Sequence, residues 1–210
     1  MSNQSFQITT SKTQRCFVQG EISKSKILFI VLHGYGQLGA YFIRKFKQLS
    51  EEYYIVAPEG MHHFYLNGSS GCVGASWMTK EARTTDIEDN NKYLDAVIES
   101  VKSQKTFEKI IALGFSQGGA TAARWTAQRK DIDQLILWAS VFPPDIEESF
   151  VSHYKKGTFV IGKQDEFYDE AAQKIEISNY KNLGFEIIEY EGKHDIEGTT
   201  LLKIFSAISK

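Results

Sequence analysis

Cysteine is almost missing from this 210-residue chain: Cys16 and Cys72 are its only two, far apart and outside any CxxC pair. Neither a disulfide framework nor a zinc site is indicated. Long apolar runs are missing too. The longest, Ile27 to Leu32, is far too short to span a bilayer. No block of one charge sign stands out: the net charge is −2 with both signs interspersed, so nothing argues for nucleic acid or an anionic membrane as partner. The amino terminus, Met1 to Phe6, is polar and has no signal-peptide core. A cytoplasmic protein without a stable membrane anchor is expected. Repeats, linkers and low-complexity tracts are absent as well, and residues 1–210 read as a single domain with room for a sizeable core.

What is present is ordinary globular composition, 42% hydrophobic and 24% charged, in an alternating pattern. Residues 5–9 and 15–21 read as an antiparallel hairpin at a sheet edge. Lys26 to Leu32, Lys109 to Leu113 and Leu135 to Ala139 are β-branched or apolar runs read as buried strands, and Tyr53 to Ala57, Thr158 to Ile161 and Phe185 to Tyr190 read as further strands. Between them, Leu38, Phe42, Phe46 and Leu49 recur at helical spacing, and Thr85-Asp86-Ile87-Glu88 reads as a capping box opening a helix. Phe167, Ala171 and Ile175 suggest another helix, and Leu201, Leu202, Phe205 and Ile208 a closing one. Residues 61–79 break the alternation and read as a long loop over the top of the sheet; 145–155 is polar and ambiguous. Strand–helix alternation implies an α/β fold, a mostly parallel central sheet with helices on both faces. In such sheets a ligand sits beyond the carboxyl ends of the strands, where the polar clusters of this chain fall.

One of those ends carries Gly114-Phe115-Ser116-Gln117-Gly118. A buried strand, glycines around a serine and a small-residue helix are the context of a nucleophile turn. The sharp bend crowds the residues two before and two after the serine, so Gly114 and Gly118 fit there. It also sets Ser116 at a helix N-terminus, which favours developing negative charge.

A serine hydroxyl needs a base to take its proton. In strand–turn–helix hydrolases the order is Ser, acid, His, which leaves His153 and His194. His153 precedes a strand and falls at the wrong end of the sheet; His194 directly follows the last strand and is the expected base. Asp165, at the end of the Gly162-Lys163-Gln164 turn, is the favoured acid, with Glu166, Asp169, Glu191 and Asp195 nearby. The oxyanion of a tetrahedral intermediate needs two N–H donors. Gln117, next to the serine, supplies one, and Tyr35 in the loop His33-Gly34-Tyr35-Gly36 the other. His62 and His63 lack a third ligand at metal spacing and read as loop histidines; neither metal nor cofactor is called for. Tyr35, Phe64, Trp77, Phe142 and Phe167 are the aromatics placed to line an apolar acyl pocket, Trp77 and Phe142 foremost.

Leu32-His33-Gly34-Tyr35-Gly36, Gly114-Phe115-Ser116-Gln117-Gly118-Gly119-Ala120, Gly162-Lys163-Gln164-Asp165 and Gly192-Lys193-His194 together resemble the phospholipase/carboxylesterase family of α/β-hydrolases, which includes the acyl-protein thioesterases. The resemblance runs from residue 26 to the end, with Ser76-Trp77 where the family carries a Ser-Trp pair. It implies an α/β-hydrolase fold, a triad of Ser116, Asp165 and His194, and oxyanion donors Tyr35 and Gln117. It implies a serine hydrolase acting on a small-molecule ester or acylated substrate: carboxylic esters, with thioesters and lysophospholipids in the same class. The chain departs from the family where Glu166-Phe167-Tyr168 follow the acid, Lys193 precedes the histidine and Tyr35 replaces the common leucine. A peptidase on the same fold and a non-catalytic ligand-binding relative are the competing readings.

Overall fold

The computed structural model describes residues 4–49, 52–146 and 156–208. His153 and most of the ambiguous stretch 145–155 lie outside them. Seven strands form one sheet: β1 (Cys16–Gln19), β2 (Ile27–Leu32), β3 (Tyr53–Pro58), β6 (Lys109–Phe115), β7 (Gln134–Trp138), β8 (Gly157–Gly162) and β9 (Glu186–Tyr190), in spatial order β1-β3-β2-β6-β7-β8-β9. All neighbours are parallel except β1, which runs antiparallel to β3. The antiparallel edge is thus made by residues 16–19 on β3; residues 5–9 form no strand. Those five residues alternate too briefly to add a ladder beyond β1.

Period-two alternation sorts the strand side chains onto two cores. Phe29 and Val31 face the side covered by α1 (Gly39–Phe42) and α5 (Gly198–Ile208). Leu28, Ile30 and Leu32 face the side of α2 (Arg83–Lys102), α3 (Gln117–Ala127) and α4 (Glu170–Asn182). Both faces are buried, which is why these strands read as unbroken apolar runs. The helix expected after β2 is short: α1 tightens into a 3-10 turn at Ile43–Phe46, while Phe42 and Phe46 are buried as their spacing foretold.

Two expectations are corrected. Residues 61–79 are not an open loop but carry a separate antiparallel hairpin, β4 (His62–Asn67) with β5 (Ser70–Ser76). Its two-residue tip starts on Gly68 at φ 66°, the glycine-first chemistry of a tight hairpin. The strands escaped notice because most of the hairpin covers no core and so shows no apolar alternation. The Thr85 capping box is also not used: α2 begins at Arg83 behind Ala82, and Asp86 instead accepts the Thr79 amide at 3.0 Å.

From β2 the chain turns to β3 on one side, then crosses back to β6 on the other. The sheet order therefore reverses between β2 and β6, and the crevice a ligand enters opens at their carboxyl ends. Among the described residues no helix is long and apolar enough to cross a membrane.

Candidate active site

Ser116 stands at that crevice, between β6 and α3, with φ 53° and ψ −122°. A non-glycine residue held there stores roughly 1–3 kcal/mol of strain. The surroundings impose it: Ser116 N–H donates to Trp138 O on the neighbouring strand at 2.9 Å, and Gly119 N–H donates to Ser116 O at 2.9 Å. A Cβ on Gly114 would come within 2.3 Å of Gly118 O, and one on Gly118 within 2.4 Å of His33 O. These are backbone obstacles that cannot move aside, so the bend requires both glycines.

Asp165 and His194 meet. The β8 end turns through an Asp165 N–H to Gly162 O bond of 3.2 Å, and the turn is tied to the histidine loop by Gln164 N–H to Gly192 O at 2.9 Å. Asp165, fully buried in its side chain, holds His194 Nδ1 at 2.7 Å through Oδ2 and accepts the Phe167 amide at 3.0 Å through Oδ1. An ionised carboxylate only accepts, so Nδ1 carries the hydrogen and Nε2 is left free as the basic nitrogen. The other carboxylates are occupied. Glu166 accepts the His194 amide at 3.2 Å, Asp169 caps α4, Glu191 pairs with Lys163, and Asp195 pairs with Lys45.

The imidazole packs against Phe115 at 4.9 Å and Phe167 at 4.4 Å between ring centroids, which sets it beside the residue preceding Ser116. Among the described residues Ser116 Oγ has no hydrogen-bond partner, so serine and imidazole share the sheet edge without a bond between them.

The loop after β2 is fixed on every side. His33, wholly buried, accepts the Gly60 amide on Nε2 at 2.9 Å, so Nδ1 is the protonated nitrogen and donates to Gly34 O at 2.8 Å. Burial holds its pKa at about 4. Gly36 N–H donates to Ala75 O at 2.9 Å, and Gly34 N–H to the Gln37 side chain at 3.0 Å. Tyr35 N–H and Gln117 N–H have no acceptor among the described residues. Tyr35 itself is 60% exposed, its ring tilted over Phe64 at 5.0 Å. The Gln117 side chain docks on β5 and the segment after it: Oε1 accepts Trp77 N–H at 3.0 Å, and Nε2 donates to Met78 O at 3.0 Å.

Trp77 is not a pocket wall. It is completely buried, its indole N–H donating to His33 O at 2.8 Å, and so it stiffens the loop from beneath. Phe142 is half-buried and packs edge-on against Tyr180 and Phe185, at the margin of the core under α4. A groove of about 510 Å³ does open directly past Tyr35, between α1 and the hairpin, walled by Leu38, Tyr41, Phe42, Leu66 and Val73 with Lys45 at its margin. A larger cavity of about 630 Å³ lies between β9 and α5; Glu191 lines it, but Ser116, Asp165, His194, Tyr35 and Gln117 do not. His62 and His63 face separate carboxylates, Asp86 at 3.2 Å and Glu59 at 2.8 Å.

Sequence reasoning missed Glu59. It is buried and gathers the Gly39 amide at 2.9 Å, His63 Nε2 at 2.8 Å and the Arg15 guanidinium. It thereby joins the start of α1, the hairpin and the residue before the edge strand. Its only sequence signal was an acidic residue directly after a buried strand.

A mostly parallel sheet between two helical layers, with a strained serine between β6 and α3, defines the α/β-hydrolase class. The sequence model of the serine hydrolase (FSH1) family matches residues 21–197, and the chain belongs to that family. Its fold is similar to that of esterase PE8 (18% identity, 94% of this chain and 99% of that one, TM-score 0.70). It is likewise similar to Zea mays acyl-protein thioesterase 2 (16%, 94% and 98%, 0.69). The phospholipase/carboxylesterase from Dyadobacter fermentans DSM 18053 is a third such structure (19%, 96% and 99%, 0.65). No curated protein matches the sequence.

Proposed function

We propose that this serine hydrolase cleaves carboxylic esters through a Ser116–His194–Asp165 triad and an acyl-enzyme. The observation that carries the reading is the 2.7 Å Asp165–His194 bond delivered to the same sheet edge as the strained Ser116 turn. In the forward step Ser116 Oγ bonds to the acyl carbon while His194 Nε2 takes its proton; such contacts are often loose before substrate closes them. The carbonyl π electrons move to oxygen, and the Tyr35 and Gln117 amides donate to that oxyanion. When the C–O bond to the leaving group breaks, the electron pair leaves with the alcohol oxygen, which receives the proton from Nε2. Water then repeats the sequence, with His194 taking its proton, and frees the acid and Ser116. Asp165 stays ionised and steadies the imidazolium.

The groove beyond Tyr35 supports an apolar acyl chain as the bound portion. Thioesters and lysophospholipids present the same acyl carbon and are arms of the test. A fluorophosphonate probe should label Ser116, and Ser116→Ala should abolish both labelling and hydrolysis of p-nitrophenyl butyrate. An unlabelled wild-type protein, or full hydrolysis by Ser116→Ala, would overturn the proposal. Peptide cleavage without ester cleavage would move the chain to the peptidases.

A further inference from the structure

Three consecutive residues grip His194: Asp165 through the imidazole, Glu166 through the backbone amide, Phe167 ring against ring. The last is the unusual one. Phe167 is 73% exposed, yet its backbone is fixed by the Asp165 bond at 3.0 Å and its ring rests on the imidazole. Phe115, which also packs against the imidazole, is buried and offers nothing to a ligand. A lone exposed apolar side chain is common on protein surfaces. One pinned open against a candidate general acid is placed to touch what that acid protonates.

We infer that Phe167 is the contact surface for the leaving group and selects esters of apolar, above all aromatic, alcohols. The inference rests on the hydrolase reading and adds the leaving-group class to it. The proton carried by His194 must reach the ester oxygen over hydrogen-bond distance, so any substituent on that oxygen emerges within a few ångströms of the imidazole. Phe167 supplies an exposed aromatic face there, while Tyr35 and the acyl groove stand on the β2 side of the crevice. An aryl or benzyl alcohol would stack on it or meet it edge-on, and a methyl group would not reach it. The contact exists only while the alcohol is attached, so it acts on acylation and vanishes from deacylation.

Benzyl butyrate and methyl butyrate share their acyl group and differ in the alcohol. Phe167→Ala should lower the ratio of kcat/KM for the benzyl ester to that for the methyl ester by about tenfold. Phe167→Trp should keep the benzyl preference, and hydrolysis of the common butyryl-enzyme should run at a rate that does not depend on which ester formed it. An equal fall on both esters would overturn the inference and reduce Phe167 to a prop for the imidazole, as would a preference that follows acyl length instead of the alcohol. A wild-type protein inert to both esters and unlabelled at Ser116 would instead overturn the hydrolase reading itself.

Discussion

Glu59 Oε2 accepts the amide hydrogen of Gly39 at 2.9 Å, joining the end of β3 to the first residue of α1. Burial opposes the carboxylate's charge, but bonds from His63 and Arg15 outweigh it and hold the pKa below the usual value. Glu59→Ala leaves the buried Gly39 N–H without a partner, at a cost of about 2 kcal/mol. Thermal unfolding should register that loss. Steady-state kinetics should show a fall in kcat, because the loop carrying Tyr35 loses its far anchor. Glu59→Gln keeps an acceptor and should lose less than half as much on both measures. Equal behaviour of the two variants would show that charge, and not the Gly39 bond, is what matters.

Ala139 repeats at the end of β7 the backbone strain of Ser116 at the end of β6: its φ is 49° against 53°. Its amide is fixed to Val160 O at 2.8 Å, so the neighbouring strands hold both bends in step. Alanine in this region costs roughly 1–2 kcal/mol, which glycine avoids while losing roughly 0.5–1 kcal/mol to chain entropy. Ala139→Gly should therefore leave stability unchanged or raise it by up to about 1 kcal/mol. Ala139→Val, whose branched side chain is a true outlier there, should lower it by more than about 1 kcal/mol. Urea unfolding of the pair tests this, and a destabilising glycine would mean that burial of the Ala139 methyl group outweighs the backbone strain.

The inner parallel strands were legible because each is a run buried on both faces, β9 at the sheet edge by its Ile187-Ile188 pair, and Asp165 and His194 because each follows a strand end at a glycine-containing turn. The hairpin was not, since its exposed strands leave no apolar signature. Trp77 and Phe167 were grouped as possible pocket aromatics, and the fold separates them: one is sealed under His33, the other stands open on His194. Pattern gives the residue type but not which way the chain presents it. Glu59 was beyond reach for a related reason. Arg15, Gly39 and His63 converge on it only through tertiary placement.

His33 makes acid sensitivity a property of the loop. Burial lowers its pKa from 6.5 to about 4. The unfolded chain takes up this proton as pH falls through 6.5, and the folded chain waits until about 4. Across that window the unfolded state binds more protons, so stability falls with falling pH, by about 1.4 kcal/mol per unit. Urea unfolding at pH 7 and pH 5 should show wild type losing roughly 2 kcal/mol more than His33→Gln. Equal losses would place the proton uptake at another group.

Helix α3, which follows Ser116, meets the turn after β7 at one point, and that point can be tested by exchange. A Cβ on Gly119 would lie 2.3 Å from both Cβ and Oγ of Ser140, a residue that is itself buried. Ser140 cannot retreat easily, because Tyr180 Oη donates to its carbonyl at 2.8 Å. Gly119→Ala should therefore shift α3 and Ser116 together, with a stability loss of about 1–3 kcal/mol from overpacking and a marked fall in ester hydrolysis. Ser140→Gly removes the opposing atoms, leaving Gly114 O at 3.1 Å as the nearest remaining neighbour. The double variant should then recover more than half of the lost stability and activity, a coupling expected only of residues in direct contact. Strict additivity of the two losses would mean that the clash at Gly119 is with the backbone of β6 and not with Ser140.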